Sequence, residues 1–401
     1  MKALLILFVI LVLVVATLLS QVAKADEIVQ IPDPNLHEVI GQVTGRLSGD
    51  IFKGDLLSIR NLDASSRGIT DITGLQYCIN LSVLNLRGNE IADISSLSAL
   101  SNLNFLDLGD NQIWDITPIS DLHNLTKLDL SGNRILDVIS LKTLTDLTSL
   151  DIGLNQVDDI SALSGLDRLT ILDLRENFIR DITPLSGLVT LTGLRADYNR
   201  ISDISAIKNL TNLLNLQLSH NHIIDIAPLS RLTSLNWLEL GSNQVEDVRP
   251  LSDLTGLKNL SLAENLIEDI SSLSNLTGLT ELDLRGNRVA DISALRGLTD
   301  PVYMDLANNV ISDISPLVDN MRLGPGDSVD LRYNPLNAES LEVYLPDLER
   351  RGVEFIRDVV PTPVPEVNED SPPLNPGFIV GPIIVFFAIA VVIFRLLARE
   401  I

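Results

Sequence analysis

An asparagine recurs every 22 residues along the middle of the chain, at Asn89, Asn111, Asn133, Asn155, Asn177, Asn199, Asn221, Asn243, Asn265, Asn287 and Asn309. A fixed period of this length marks one small structural unit stacked on copies of itself. Each unit then contacts only its neighbours, and the core becomes a stripe running the length of the stack. Such a chain folds into a solenoid, and its function is to be sought on a surface.

One unit reads Leu169, Leu172, Leu174, Asn177, Ile179, Asp181, Ile182, Leu185, Leu188. The spacing L-x-x-L-x-L-x-x-N-x-I is the leucine-rich-repeat pattern. Alternation at Leu172 and Leu174 is strand periodicity, which turns Ile171, Asp173 and Arg175 outward. After the Asn, the three-residue steps suit short 3₁₀ turns. The Asn amide carries two donors and an acceptor, enough to satisfy backbone groups that leave the strand ladder while still buried. The eleven are read as structural.

A second column is as strict: Asp71, Asp93, Asp115, Asp137, Asp159, Asp181, Asp203, Asp225, Asp247, Asp269, Asp291 and Asp313. Asp before a helical turn is a capping residue, and Pro118, Pro184, Pro228, Pro250 and Pro316 share one register inside the turns that follow. The register N-x-I-x-D-I-[S/T]-x-L over roughly residues 30–358 resembles the internalin-type leucine-rich repeats of bacterial and archaeal surface proteins. That resemblance implies a right-handed solenoid with a parallel β-sheet on its concave face, 3₁₀ or short helical turns on its convex face, and helical N- and C-terminal caps.

Repeats are expected over 59–336. At the N-terminal side, within 26–58, Asp33 and Pro34 open a helix whose apolar stripe is Leu36, Val39, Ile40 and Val43. A degenerate first repeat carries Arg67 in the Asn slot. At the other end the step from Asn309 to Asn334 is 25 residues, with the extra ones around Met321–Gly326. Within 337–358, Asn337 caps a helix to about Arg351, closed by Gly352, and Val353–Ile356 reads as a last strand. About thirteen strands are expected, roughly 60 Å of arc at about 4.8 Å each.

Residues 1–25 read as a signal peptide: Lys2, an apolar run, then Ala23-Lys24-Ala25. Prolines 361, 363, 365, 372, 373 and 376 make 359–376 an extended stalk. Residues 377–394 are apolar and uncharged, long enough to span a bilayer. Arg395 and Arg399 follow, placing 26–376 outside and the 395–401 tail inside. Pro376-Gly377-Phe378 resembles an archaeosortase-type sorting signal, which implies cleavage of the tail and attachment to lipid.

The formal charge of −24 argues against nucleic acid as a partner. The lone Cys78 falls in the leucine column of Leu100, Leu122 and Leu144 and reads as a buried hydrophobe. Five N-x-[S/T] tripeptides begin at Asn80, Asn124, Asn209, Asn259 and Asn275; Asn259 would place a sugar on the concave face. No phosphate loop, nucleophile elbow or Cys/His cluster is present, so no enzyme, cofactor or metal site is expected. His220 and His222 flank Asn221, but as a metal pair they are weak, since Asp197 or Glu239 would have to complete the site.

Function should sit where the repeats differ. The central outward column contains four consecutive acids, Asp107, Asp129, Asp151 and Asp173, read either as an acidic track or as the ordinary filler of these repeats. The next coils are more individual: Arg195, Asp197, Tyr198, Gln217, His220, Trp237 and Glu239 supply the residue types that dominate binding hot spots. The reading is a membrane-tethered, non-enzymatic surface protein that binds a protein or a surface glycan. The alternatives are a structural envelope component and an accessory recognition subunit of a larger complex.

Overall fold

The structure, a computed structural model, describes residues 27–46 and 49–356. The expected signal peptide, stalk, membrane span and tail lie outside these residues. Among the described residues no helix is long and apolar enough to cross a membrane.

Three-residue strands recur every 22 residues from Asn61–Asp63 to Tyr303–Asp305, and Ser328–Asp330 and Glu354–Ile356 complete one parallel sheet of 14 strands in chain order. That is one strand more than the sequence count. Pairing is in register, Leu194 to Leu216 to Leu238, so equivalent residues of successive coils form straight columns. The central residue of every strand but the last is buried, a leucine in all of these but Met304 and Val329, and its two neighbours face away from the core. The opposite side is built of 3₁₀ turns such as Thr183–Gly187 and Ser205–Asn209. Leucine and isoleucine columns fill the space between as one continuous core. Cys78 is fully buried there, and its thiol is pushed up to about 12 by burial.

The asparagine column stitches this stack together. Asn155 donates to Leu130 O in the preceding coil at 3.0 Å and to Ile152 O and Gly153 O in its own, and it accepts from Ile135 N at 3.0 Å. Every ladder Asn from Asn111 to Asn309 repeats this set; Asn199, for example, bonds Leu174 O, Ala196 O, Asp197 O and Ile179 N. Asn334 joins the ladder despite the three extra residues, accepting from Ile311 N and donating to Leu306 O. The residue just before each ladder Asn is left-handed, as at Leu154 (φ 56°), Glu176 (φ 51°) and Gly132 (φ 64°). The chain must turn out of the strand within two residues, and that conformation does it. An L-residue there costs roughly 1–2 kcal/mol, which the surrounding bonds offset.

The aspartate column caps the turns from one residue further out than a formal N-cap. In coil after coil the carboxylate accepts the N–H two residues on, the first of the turn: Asp159 from Ser161 at 2.7 Å and Asp203 from Ser205 at 2.7 Å before 3₁₀ turns, and Asp313 from Ser315 at 2.8 Å before the short α-helix Ser315–Asp319.

At the N-terminal end the expected helix spans Pro34–Thr44, with Asp33 accepting from Asn35 N and Leu36 N. The other Asp33 oxygen binds Thr70 N at 2.8 Å and so fastens the helix to the first coil. Leu36, Val39 and Ile40 are buried, but Val43 is about half exposed and falls off the predicted stripe. An antiparallel pair, Ile28–Val29 with Ile51–Phe52, was not legible as strand because each arm is two residues long. At the other end Asn337 Oδ1 accepts from Ser340 N, and the helix that follows, α-helical at Ala338 and Glu339, widens into a π-helical stretch, Ser340–Tyr344, before Leu345–Arg350. Pro346 supplies the reason: its ring has no N–H and crowds the carbonyl four residues back, which a widened turn relieves.

Replacing one ladder residue strands several buried groups at once. Asn155→Ala is expected to cost about 2 kcal/mol or more, since one unsatisfied buried group costs about 1–3 kcal/mol. Asp159→Ala in the same coil should cost about 1 kcal/mol. Equilibrium urea unfolding measures both; equal losses would sink the distinction between ladder and cap.

Candidate functional site

The outward face of the sheet is not uniform. Seven consecutive strands, from Phe105–Asp107 to Trp237–Glu239, border one open hollow of about 740 Å³, so the sheet is concave over this stretch. Its floor is the central column, and two regimes meet there.

In the first regime the central acid serves its own backbone. Asp107 accepts from Gly109 N (2.9 Å), Asp129 from Ser131 N (2.9 Å), Asp151 from Gly153 N (2.8 Å) and Asp173 from Arg175 N (3.1 Å). Asp283, Asp305 and Asp330 repeat the bond further along. These acids hold the bend after each strand, which is the filler reading in physical form. Arginines also stitch the track. Arg87 lies 2.7 Å from Asp129, 2.7 Å from Asp110 and 3.7 Å from Asp107. Gly109 makes its path possible, because a Cβ there would come within 2.5 Å of Arg87 Nη1. Arg175 and Arg195 each approach Asp173 at 3.5 Å, and Asp173 is buried under them rather than presented to solvent. Among the described residues Asp151 makes no ion pair. Burial, then the Asp173 charge, pushes its carboxyl up to about 6 against the pull of the Gly153 N–H.

In the second regime the central column is released. Over four consecutive strands it reads Arg195, Gln217, Glu239 and Ser261, none of which accepts the N–H two residues on. Two of those N–H groups are satisfied from the preceding coil instead: Asp197 Oδ1 accepts from Ser219 N at 2.8 Å, and Ser219 Oγ accepts from Gly241 N at 3.1 Å. The side chains thus freed pair with each other across the surface. Arg195 Nε donates to Gln217 Oε1 at 3.0 Å, and Trp237 Nε1 donates to Glu239 Oε1 at 2.6 Å. On the rim of the same coils the left-handed residues are Tyr198 (φ 54°) and His220 (φ 55°), whose rings stack at 4.0 Å between centroids, 12° from parallel.

Six of the seven residues expected in this patch therefore come together on the surface, with Tyr198 and Trp237 both exposed. Asp197 is placed differently: it is buried beneath the patch and bonded to the backbone. Burial, with Glu239 and Asp173 nearby, holds its carboxyl up at about 6 despite the Ser219 N–H. Sequence reasoning missed Ser219, Arg87 and Arg175. Ser219 could have been found as the hydroxyl one coil beyond Asp197, in a column that also holds Gly109, Ser131, Gly153, Arg175 and Gly241. His222 points no second ligand toward His220, and among the described residues no group of three His, Cys, Asp or Glu side chains could hold a metal ion.

Comparison with known proteins adds the following. The family model for leucine-rich repeats (2 copies) matches residues 79–122, 101–144, 123–165, 145–187 and 233–275. No curated protein matches. Among solved structures, an internalin from Listeria monocytogenes is 35% identical with a TM-score of 0.67, over 75% of this chain and 95% of that one. A leucine-rich-repeat protein of Leptospira interrogans is similar at 22% identity and a TM-score of 0.59, over 76% and 97%. The ectodomain of a plant receptor kinase from Arabidopsis thaliana, solved in complex with Casparian strip integrity factor 2, aligns at 20% identity and a TM-score of 0.51, over 76% and 45%.

The buried acids set a pH dependence. Asp151, Asp197 and Asp283, all raised to about 6, lie above the ordinary 3.8 of an unfolded chain, so their ionisation works against the fold. Their contribution is present at low pH and is lost as pH rises through about 6. Asp33, Asp115, Asp203 and Asp269 are lowered, and Asp247 reaches about 2, so theirs is lost as pH falls below the ordinary range. Stability should therefore peak at about pH 4 and decline through about pH 6, above which these acids add no further loss. Urea midpoints against pH check this, and Asp151→Asn should flatten the upper limb. A second expectation concerns the released column: Gln217→Asp sets a second carboxylate against the one Ser219 N–H that Asp197 already holds, and should lower the urea midpoint while removing the Gln217 amide bond to Arg195.

Proposed function

We infer function from family membership and from the released patch: the chain belongs to the internalin-type leucine-rich-repeat family, and we propose that it is a non-enzymatic recognition protein. It captures a protein partner on the strand face. The observation that carries this reading is the release of four consecutive central positions from their turn-capping task. Along most of the sheet the column is occupied by structural acids; here it offers Arg195, Gln217 and Glu239, with Trp237 bonded to Glu239 beside them and the Tyr198–His220 stack on the rim. Trp, Tyr and Arg in a shared hollow are the composition of binding hot spots, and seven strands of concave face suit a convex or extended protein surface. The plant ectodomain was solved in complex with Casparian strip integrity factor 2, so a fold of this kind can carry a bound partner.

The place of action we propose is the cell surface. Support comes from the leader-like residues 1–25 and from the uncharged run 377–394 followed by Arg395 and Arg399, with 359–376 as a stalk and the sorting-signal resemblance at Pro376-Gly377-Phe378. A second reading, a structural envelope component, draws on Trp114 and Leu136, both well exposed on adjoining coils away from the strand face. It predicts that the purified chain assembles laterally, which sedimentation would reveal.

A photo-crosslinking residue at position 217 should trap a protein partner that the same residue at position 208, on the turn side, does not. Trp237→Ala and Tyr198→Ala should each weaken capture by about 30-fold, the effect of a hot-spot loss near 2 kcal/mol. Undiminished capture by both variants, or trapping of a glycan alone, defeats this reading.

A further inference from the structure

We infer that Asn209 carries an N-linked glycan, an inference that rests on the surface-exposed reading above. Attachment at N-x-[S/T] uses two groups, the Asn amide and the hydroxyl two residues on, and both must be reachable on a surface segment. The structure separates the five candidates. Asn80 is half-buried and donates to Leu57 O at 2.8 Å. Asn259 lies within a strand on the concave face and is tied to Glu281. Asn124 donates to Ser101 O at 2.7 Å while its Thr126 hydroxyl donates to Asn104 O at 3.0 Å. Asn275 reaches Ser252 O at 3.5 Å.

Asn209 and Thr211 differ from all of these. Both are exposed, and neither side chain makes a hydrogen bond. Leu210 between them is fully buried and anchors the tripeptide in place. Asn209 ends the 3₁₀ turn Ser205–Asn209, on the side opposite the strands. There is room around it as well. One coil earlier the equivalent residue is Gly187, and one before that Gly165, and a Cβ at either would meet nothing within 4 Å. A sugar here stands over an open strip and leaves the hollow unobstructed.

The chemistry is that of transfer from a lipid-linked oligosaccharide. The Asn209 amide nitrogen forms a bond to the anomeric carbon, the bond from that carbon to the lipid phosphate oxygen breaks, the lipid phosphate departs, and an amide proton passes to a base of the transferring enzyme.

The test is glycopeptide mass spectrometry on the full chain recovered from the surface of its own cells. The expected result is a glycan on Asn209 in most copies. Thr211→Ser should retain it, and Thr211→Val and Asn209→Gln should abolish it without altering partner capture at the strand face. A surface-exposed chain with bare Asn209, or with sugar on Asn80 or Asn259 in its place, overturns the inference and leaves the recognition reading standing. Loss of capture in Trp237→Ala bears on recognition alone, whereas a chain retained inside the cell overturns both.

Discussion

The amide of a buried asparagine, shared between two coils, is the interaction on which the rest of this structure depends. A stack of coils exposes a difficulty that a globular domain avoids. Every strand must end in a bend, and every bend releases backbone groups in a place water does not reach. A side chain with two donors and an acceptor, placed once per coil, meets that demand in its own coil and the one before. The leucine columns supply most of the burial free energy, but apolar contacts are non-directional. The ladder makes the coils superimpose, and superposition turns sequence position into surface position.

A hierarchy of obligations follows. The ladder Asn has no freedom, because it serves two coils. The turn-side Asp has little, because it serves one N–H. The central strand residue lies between: where it is Asp it is bound to its own backbone, and where a neighbouring coil takes over that bond it is released. Asp197 and Ser219 perform that takeover, so two residues that do not project from the surface determine which side chains can. Recognition capacity in such a fold depends less on which residues point outward than on which of them are not already engaged.

Much of this was legible in the sequence. The period, the strand alternation and the 3₁₀ spacing follow from side-chain chemistry within one coil. The outward direction of Trp237 and Gln217 followed from register, and the burial of Cys78 from its column. What was not legible depends on contacts between coils. Asp173 reads as outward by alternation and is buried by Arg175 and Arg195. Asp197 reads as part of a surface patch and lies beneath it, because its bond is to a backbone group 22 residues away. The left-handed residue before each Asn was hinted at only by Gly88, Gly132 and Gly286; Leu154 and Tyr198 in the same slot conceal it. The antiparallel pair at the N-terminal end had arms too short to carry a period.

Asn334 shows what the ladder measures. Its partners lie 23 and 28 residues back instead of 20 and 25, yet the bonds are the same. The amide responds to location within a coil and is indifferent to distance along the chain. Whole coils are therefore exchangeable parts: one can be lost or duplicated, and the asparagines on either side meet identical carbonyls. What changes is adjacency on the strand face. Removing the Asn215–Gln217 coil would set Trp237 directly beside Gly193 and Glu239 beside Arg195, a new surface made without altering a single side chain. Architecture of this kind lets a lineage revise its binding face by copy number as well as by substitution.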